Sequence, residues 1–311
     1  MSWMRLLISG LLCCAVLPAF AQPLTIISPA PAPQPYNRNR GQPAGLSEIF
    51  NAEDRASALK RTNLTYAIAR KTTPFVGIES IQPIYENFCN TFFGQFRLGY
   101  SGGSGMFNVG FGYRYIRQDR QIMLGLNVFY DQTMQYLNKR VGIGGEVFST
   151  YATFRVNYYD DISIARSLNT FNGVTSYQRA LSGFDGSIEV PFPFLSWIHF
   201  VAQGSHWYGN NYTGINGGTA SLRIFPARQL ELDGGLKYDN VYKGQAFLRL
   251  DYYLGAADFI ENSASTPHYE SSLFAPQKMQ RQRLQKVIRY NDIMVEETEP
   301  NGLYKLLPRG S

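Results

Sequence analysis

From Met106 to Tyr158 the sequence alternates apolar residues with small or polar ones at a period of two. Four such segments follow one another, separated only by residues typical of turns. Successive side chains of a β-strand point to opposite faces of the sheet, so the pattern predicts four consecutive strands, each with one apolar face. The apolar face of the first segment consists of Phe107, Val109, Phe111, Tyr113 and Tyr115.

Strands that cover a soluble core alternate in the same way, so the solvent has to be inferred from other features. The alternation extends from about Thr62 to Gly255, and the chain contains 21 Tyr, 21 Phe and 29 Gly. Beyond the N-terminal segment there is no run of about 18 apolar residues, the length that a spanning helix needs. We therefore predict an all-β fold, a transmembrane antiparallel β-barrel of about twelve strands of the outer-membrane type, over residues 62–255.

The charged residues of these segments lie on the face opposite the apolar one. A Lys or Arg on the lipid face costs about 2 to 4 kcal/mol at the bilayer midplane, so this segregation is typical of a spanning barrel. Both signs of charge occur, and we expect them to pair in a water-filled lumen. The residues predicted to face the lumen are Arg97, Arg114, Asp131, Glu146, Arg155, Asp185, Glu189, Arg223, Glu231, Asp233, Lys237, Arg249 and Asp251.

Residues 1–21 have the features of a cleaved secretory signal peptide. They contain Arg5, an apolar stretch at Leu6–Leu17 and an Ala-Phe-Ala cleavage site. Export followed by a barrel predicts a location in the outer membrane of a Gram-negative bacterium. Only Cys89 would remain in the mature chain, which excludes an intramolecular disulfide.

The regions that flank the predicted barrel have a different composition. Residues 22–61 predict a Pro-rich periplasmic linker followed by a short helix at Leu46–Leu59. Residues 256–311 predict a basic amphipathic helix at Pro276–Tyr290 and an extended piece at Asn291–Glu296. We expect this C-terminal part to be periplasmic or to thread the lumen.

Connections between the predicted strands alternate between short and long. In outer-membrane barrels the short turns are periplasmic and the long loops are extracellular. Both ends of the barrel are then expected in the periplasm. The longest loop, Ile164–Ala180, is expected outside the cell, where it is a candidate for surface contacts.

Four sequences in the alternating region, NVGFGYRYI, MLGLNVFYDQTM, RVGIGGEVFSTY and FRVNYYDDIS, occur in a characteristic order and spacing. This series resembles the β-barrel domain of the inverse autotransporters, the family of intimin and invasin, and SGFDGSIEVPFP resembles the next strand of that family. The resemblance covers roughly Tyr85 to Glu297. It includes a post-barrel motif made of Arg289, Asn291, Ile293 and Glu296.

The resemblance implies an outer-membrane barrel that is inserted by the outer-membrane barrel assembly machinery. It also implies a chain that re-enters the lumen from the periplasm, threads outward and carries surface domains used in adhesion. Only residues 298–311 follow Glu297, too few for an immunoglobulin-like passenger domain. We therefore predict an anchor and translocator of inverse-autotransporter type that lacks a large passenger, with adhesion at most through its loops or short tail.

The alternative is a stand-alone porin-like channel or a structural barrel. Outer-membrane lipid and the assembly machinery are the expected partners, and a host or surface ligand is left unspecified.

The sequence predicts no catalytic residue, no cofactor-binding residue and no metal ligand. His199 and His206 fall on opposite faces of one strand and so do not form a compact metal site. Ser205 and His206 are adjacent and also point to opposite faces, which argues against a nucleophile and base pair. The net charge of +6 is concentrated in the flanks of an exported chain, which argues against nucleic-acid binding. We therefore predict that the protein is not an enzyme.

Overall fold

A computed structural model of the chain describes residues 57–70, 73–171, 174–209, 214–241, 243–260, 277–298 and 304–309. The predicted signal peptide and nearly all of the predicted periplasmic linker lie outside the described residues. Of the predicted helix at Leu46–Leu59 only residues 57–59 are described, and these are helical. Within the described ranges, no helix combines the length and apolar character needed to cross a bilayer.

Sixteen strands are present in the described residues. In chain order they are β1 Thr62–Ala69, β2 Phe75–Glu86, β3 Asn90–Ser101, β4 Ser104–Ile116, β5 Ile122–Thr133, β6 Lys139–Ser149, β7 Thr153–Asp161, β8 Arg166–Phe171, β9 Val174–Ala180, β10 Gly183–Phe192, β11 Leu195–Trp207, β12 Ile215–Ala227, β13 Leu230–Asp239, β14 Gln245–Tyr253, β15 Ile293–Thr298 and β16 Tyr304–Arg309.

Twelve of these strands form a closed barrel in the order β1-β14-β13-β12-β11-β10-β7-β6-β5-β4-β3-β2. Each neighbour pair is antiparallel, and the barrel closes where β1 pairs with β14 from Asn63↔Tyr253 to Ala69↔Phe247. Closure leaves no open sheet edge, which is the condition that the bilayer core imposes on spanning strands. The predicted twelve-stranded antiparallel barrel is therefore confirmed.

The two faces of the barrel wall differ as the alternation predicts. Apolar side chains point outward and are strongly exposed in the isolated chain, for example Phe111 at 59%, Leu126 at 67% and Ile143 at 60%. The neighbouring inward side chains, such as Asn127 and Arg114, are buried. An apolar exterior of this kind is suited to lipid rather than water.

The connections divide the barrel into two ends. At the turn end, strands are joined by short connections such as 150–152 and 228–229, whereas the loop end carries the longer links 134–138 and 208–214. By the rule for outer-membrane barrels, we expect the turn end to face the periplasm and the loop end to face the outside.

The longest connection contains secondary structure that the sequence interpretation did not anticipate. Expected as a loop at Ile164–Ala180, it forms the hairpin β8–β9, which joins β15 and β16 in a second sheet of order β16-β15-β9-β8. The Asn-Gly dipeptide at 172–173 lies between the two strands in sequence and is a strong hairpin signal.

The predicted helix at Pro276–Tyr290 is wrong in its extent. Helix α1 covers only Met279–Gln282, and its N-cap Lys278 makes no side-chain capping bond. Further along, the N–H of Val287 donates to the side chain of Gln95 on β3 at 2.9 Å. Main-chain groups that would bond within a helix are thus bonded to the barrel wall instead. The predicted extended piece at Asn291–Glu296 corresponds to β15, which begins two residues later and ends two residues later.

Candidate functional site

The lumen of the barrel contains a stretch of the chain itself, residues 277–298, here called the lumen segment. At the turn end, the N–H of Gln277 donates to the carbonyl of Thr150, in the connection between β6 and β7, at 2.9 Å. Near the loop end, the carbonyl of Met294 accepts a bond of 2.8 Å from the N–H of Leu181, the residue after β9. The lumen segment therefore passes from one end of the barrel to the other.

Arg283 fixes the lumen segment at the turn end. Its guanidinium donates to the carboxylate of Glu86 at 2.8 Å and to the carbonyls of Asn87 and Phe88 at 2.9 and 3.0 Å. These three acceptors lie at the end of β2 and in the turn that follows it. Arginine suits this position because its planar group presents five donors in a fixed geometry.

In the middle of the barrel, wall side chains bind the main chain of the lumen segment. Arg114 on β4 donates to the carbonyl of Gln285 at 2.6 Å. Arg140 on β6 donates to the carbonyls of Tyr290 and Asp292 at 2.6 and 3.0 Å. A charged donor to a buried carbonyl is stronger than a neutral hydrogen bond, so these contacts replace the hydration that an extended chain requires.

Two cations of the lumen segment pair with carboxylates of the wall. Arg289 binds Asp131 on β5 with both nitrogens, Nη1 to Oδ1 at 2.8 Å and Nη2 to Oδ2 at 2.5 Å. Asp131 is fully buried and also pairs with Arg140 at 2.8 Å. Lys286 lies 2.8 Å from Asp251 and 3.3 Å from Glu231. Removing one partner of such a buried pair leaves an uncompensated charge and costs about 3 to 5 kcal/mol.

Further ion pairs connect neighbouring and next-nearest strands along the inner face of the wall. Glu189 accepts from both Arg155 and Arg223 at 2.9 Å, and His199 lies 2.8 Å from the same carboxylate. The chain of buried pairs in the wall comprises Arg114 with Glu146, Arg155 with Glu146 and Glu189, and Arg223 with Glu189, Glu231 and Asp233.

Apolar packing holds the lumen segment at several levels. Val287 and Leu284 pack against inward-facing Phe93 and Phe129 in the middle of the barrel. Met279 packs with Ile116, Met123 and Phe148 toward the turn end. Toward the loop end, Ile293 and Val295 pack with Met106 and Ala180, and Met294 packs with Tyr159, Leu181, Trp207 and Ile215. The expectation of a water-filled lumen is therefore wrong for this part of the barrel, because large apolar side chains lie on the inward face as well as the outward one.

A second short stretch of the chain packs at the turn end of strands β11 to β14. Residues 257–260 follow β14, and Ala257, Phe259 and Ile260 are buried against Phe225 and Tyr253 at the turn end. The aromatic rings of Phe259 and Tyr253 meet edge to face with centroids 5.3 Å apart. This cluster closes the turn end on the side of the lumen that the lumen segment does not fill.

The charged residues predicted to face the lumen are all buried except two. Lys237 and Arg249 are half-buried and line a cavity of about 760 Å³. Asp185 is buried and bonds Asn157 at 3.0 Å and Tyr159 at 2.5 Å rather than a cation. Of the post-barrel motif, Arg289, Ile293 and Glu296 are buried and Asn291 is half-buried. The inward aromatics Phe93, Phe129 and Phe148 belong to the same site, and sequence reasoning missed them.

The closed barrel, its lipid-suited exterior and its occupied lumen define the class: this is an outer-membrane β-barrel protein. The family model described as "Inverse autotransporter, beta-domain" matches residues 53–291, which is more than half of the chain. The chain belongs to the inverse autotransporter β-domain family.

Known relatives agree with this assignment. Intimin of Escherichia coli O127:H6 (strain E2348/69 / EPEC) is 29% identical over 139 residues, which cover 45% of this chain and 14% of intimin. The uncharacterized protein YchO of Escherichia coli (strain K12) is 26% identical over 112 residues, which cover 36% of this chain and 23% of YchO. The matched region is thus a small share of the length of either relative.

A solved structure shows the same fold. It is described as "Unveiling the Mechanism Behind the in-meso Crystallization of Membrane Proteins" and has a TM-score of 0.60 at 20% identity. The superposition covers 76% of this chain and 99% of the other.

Proposed function

We propose that the protein is an anchor and translocator, which carries the chain that follows β14 through its own barrel to the cell surface. The observation that supports this most directly is the path of the lumen segment from Gln277 at the turn end to Thr298 beyond the loop end. The wall binds this segment through its main chain and at Arg283, Lys286 and Arg289. Apart from the single helical turn α1, the segment is held as an unfolded strand of polypeptide rather than as a folded plug.

The sheet at the loop end supports the proposed direction. Strand β15 pairs antiparallel with β9, with partners Val295↔Ala180, Glu296↔Arg179 and Glu297↔Gln178. β16 then pairs back on β15. Adding a strand to an existing edge satisfies the main-chain groups of an extended chain as it leaves the lumen. The hairpin β8–β9 is therefore the part of the barrel that receives the emerging chain.

The proposal includes two partners and no reaction. Outer-membrane lipid surrounds the apolar exterior, and we infer that the barrel assembly machinery inserts the strands. We also propose a non-enzymatic role. Among the described residues, His199 lies in the Glu189 ion-pair network, and the Nδ1 of His206 lies 2.7 Å from the Oδ1 of Asn216.

Surface labelling of intact cells tests the direction of threading. An epitope placed after Ser311 should react with a membrane-impermeant reagent in intact cells, because the lumen segment ends beyond the loop end. A matched control carries the same epitope between Gln118 and Asp119, in a connection at the turn end, and should react only after the outer membrane is permeabilised. If the C-terminal epitope behaves like this control, the translocator proposal is wrong.

A stand-alone porin-like channel or structural barrel is the second candidate, and the cavity of about 760 Å³ is the observation that favours it. The two candidates differ in the state of the intact protein. A channel would conduct in a planar bilayer with the lumen segment present, whereas the translocator is expected to conduct little until that segment is removed.

A further inference from the structure

The cavity beside the lumen segment lies against β1 and β11 to β14, which we call the cavity side of the barrel. Small residues form part of its lining, among them Ala67, Ala69, Gly217 and Ser205. Its lining reaches Thr73 and Lys243 at the loop end. Toward the turn end, the Phe225, Tyr253 and Phe259 cluster closes the barrel. The cavity is thus a pocket in the half of the lumen nearer the loop end.

Two cations of the wall line this pocket without an ion pair. Within the described part of the chain, no carboxylate oxygen lies within 4.0 Å of Arg97 on β3 or of Lys237 on β13, in contrast to the paired arginines of the rest of the lumen. Arg97 is 7% exposed. Its Nη1 makes one long bond of 3.3 Å to Asn108, and its guanidinium lies 4.4 Å from the centroid of the Phe75 ring.

The other charges near these two cations either pair with one another or form no ion pair with them. Glu79 lies opposite Arg97 in the register of β2 and β3, and its carboxylate accepts a hydrogen bond of 2.7 Å from Gln95. Arg249 and Arg289 also border the pocket, but Asp251 and Asp131 neutralise them at 2.8 and 2.5 Å. Lys243 bonds the carbonyl of Asn240 at the rim. Two carboxylates line the pocket, Asp239 and Asp292. Asp292 belongs to the lumen segment and lines the same pocket as Arg97.

We propose that this pocket binds a small soluble anion that carries a carboxylate, phosphate or sulfate group, with Arg97 and Lys237 as its principal ligands. A nearly buried guanidinium without a carboxylate partner is unfavourable, and a bound oxyanion provides the planar, charge-assisted partner that arginine prefers. Neutral donors from Thr219 and Gln203 border the same space. The barrel wall separates the pocket from the bilayer, so the ligand is a solute and not the headgroup of a membrane lipid.

Calorimetric titration of the full-length protein in neutral detergent at low ionic strength tests the proposal, with inorganic phosphate, sulfate and acetate as probes and glucose as the uncharged comparison. We expect saturable binding of at least one anion and none of glucose. Arg97→Gln and Lys237→Gln should each weaken binding by about tenfold, the size expected for loss of a charged hydrogen-bond donor. Arg179→Gln, which removes a cation from the surface strand β9, is the matched control and should leave the affinity unchanged.

A second variant, Asp292→Asn, distinguishes loss of an anion ligand from a folding defect in the binding measurement. Removing this carboxylate eliminates repulsion of the anion, so the affinity should rise several-fold, a gain that a damaged barrel would not show. The proposal is overturned if none of the three anions binds at millimolar concentration, or if binding is the same in the Arg97→Gln and Asp292→Asn variants as in the parent. Neither result bears on the translocator proposal, which depends on surface exposure of the C-terminal epitope.

Discussion

The two sides of the lumen are built from the same antiparallel strands but are filled in different ways. On the packed side, strands β3 to β7, the inward positions carry large residues such as Phe93, Phe129 and Arg140, and these are fully or nearly fully buried against the lumen segment. On the cavity side, inward residues such as Ala67, Thr219 and Lys237 are only half-buried. Closure of the barrel therefore gives both sides the same antiparallel wall. The size of the inward side chains decides which part of the lumen holds polypeptide and which part holds solvent.

The largest expected difference between the two sides concerns conduction. Deleting residues 277–311 empties the packed side, so the two halves of the lumen should merge into one passage, and the conductance of the protein in a planar bilayer should rise many-fold. Deleting only residues 299–311 keeps the lumen segment and should leave the conductance low. Equal conductance of the two truncated proteins would show that the lumen segment does not block the barrel.

The second largest difference is expected in the free energy of unfolding when a charged side chain is removed from each side. Asp131→Ala on the packed side leaves Arg140 and Arg289 without their shared carboxylate, and the free energy of unfolding should fall by about 3 to 5 kcal/mol. Lys237→Ala on the cavity side removes a cation that has no ion pair but lies 5.3 Å from the centroid of the Tyr290 ring, so the loss should be about 1 kcal/mol. Urea unfolding in lipid vesicles, followed by tryptophan fluorescence, measures both values. A similar loss in the two variants would contradict the contrast between the sides.

A pair of glycines provides a steric comparison. A Cβ at Gly112, on β4, would overlap the ring of Phe93, so Gly112→Ala should cost about 1 to 3 kcal/mol through overpacking. A Cβ at Gly217, on β12, would have one tight contact, with the Ser205 hydroxyl at 3.0 Å, and ordinary contacts with Asp239 and Tyr238 at 3.5 and 3.6 Å. That hydroxyl can move into the cavity, and we expect Gly217→Ala to cost clearly less in the same unfolding assay.

The smallest effect is expected outside the lumen, in the connection between β4 and β5. Arg117 donates a hydrogen bond to the carboxylate of Asp119, and the N–H of Gln121 donates a second at 3.1 Å. Both hydrogen bonds hold the pKa of Asp119 below its ordinary value. This carboxylate therefore stabilises the fold above its unfolded-state pKa and loses that contribution as the pH falls through the lowered value.

Because the Arg117 and Asp119 pair is exposed to solvent, its contribution is small. Asp119→Asn should leave the urea midpoint nearly unchanged at neutral pH and should slightly reduce its fall between neutral pH and about pH 3. A loss at neutral pH as large as that of Asp131→Ala would mean that burial of the ion pair is not what separates the lumen from the surface.

The barrel and the direction of its side chains could be predicted from the sequence because lipid imposes a strict rule on each strand. One face has to be apolar, so Phe111 or Leu126 identifies the outward face and Arg114 or Asn127 the inward one. The same rule contains a signal for the packed side. Phe129 interrupts the alternation between Val128 and Tyr130, and apolar residues on both faces of a strand indicate that both faces are covered.

The conformation of the lumen segment could not be predicted in this way. Its amphipathic pattern over Pro276–Tyr290 is typical of a helix, and in water or on a soluble core that pattern would dominate. Inside the barrel, Gln95 and Arg114 bind its main chain, and they lie more than 170 residues earlier in the sequence. No pattern within the segment contains that information. The ion pair of Arg289 with Asp131 spans a similar separation of 158 residues and has the same limitation.

The hydrogen bonds from Arg114 and Arg140 to carbonyl groups have a consequence for variation among chains that pass through this barrel. A carbonyl is present at every residue, so the wall recognises the polypeptide backbone and places few demands on which amino acids follow one another. Side-chain chemistry matters at fewer positions: Arg283, Lys286 and Arg289 each pair with a carboxylate of the wall, and residues such as Val287 pack against its apolar side chains. If the barrel is the translocator proposed above, it would accept exported sequences that differ at the remaining positions, provided that they supply cations equivalent to Arg283, Lys286 and Arg289.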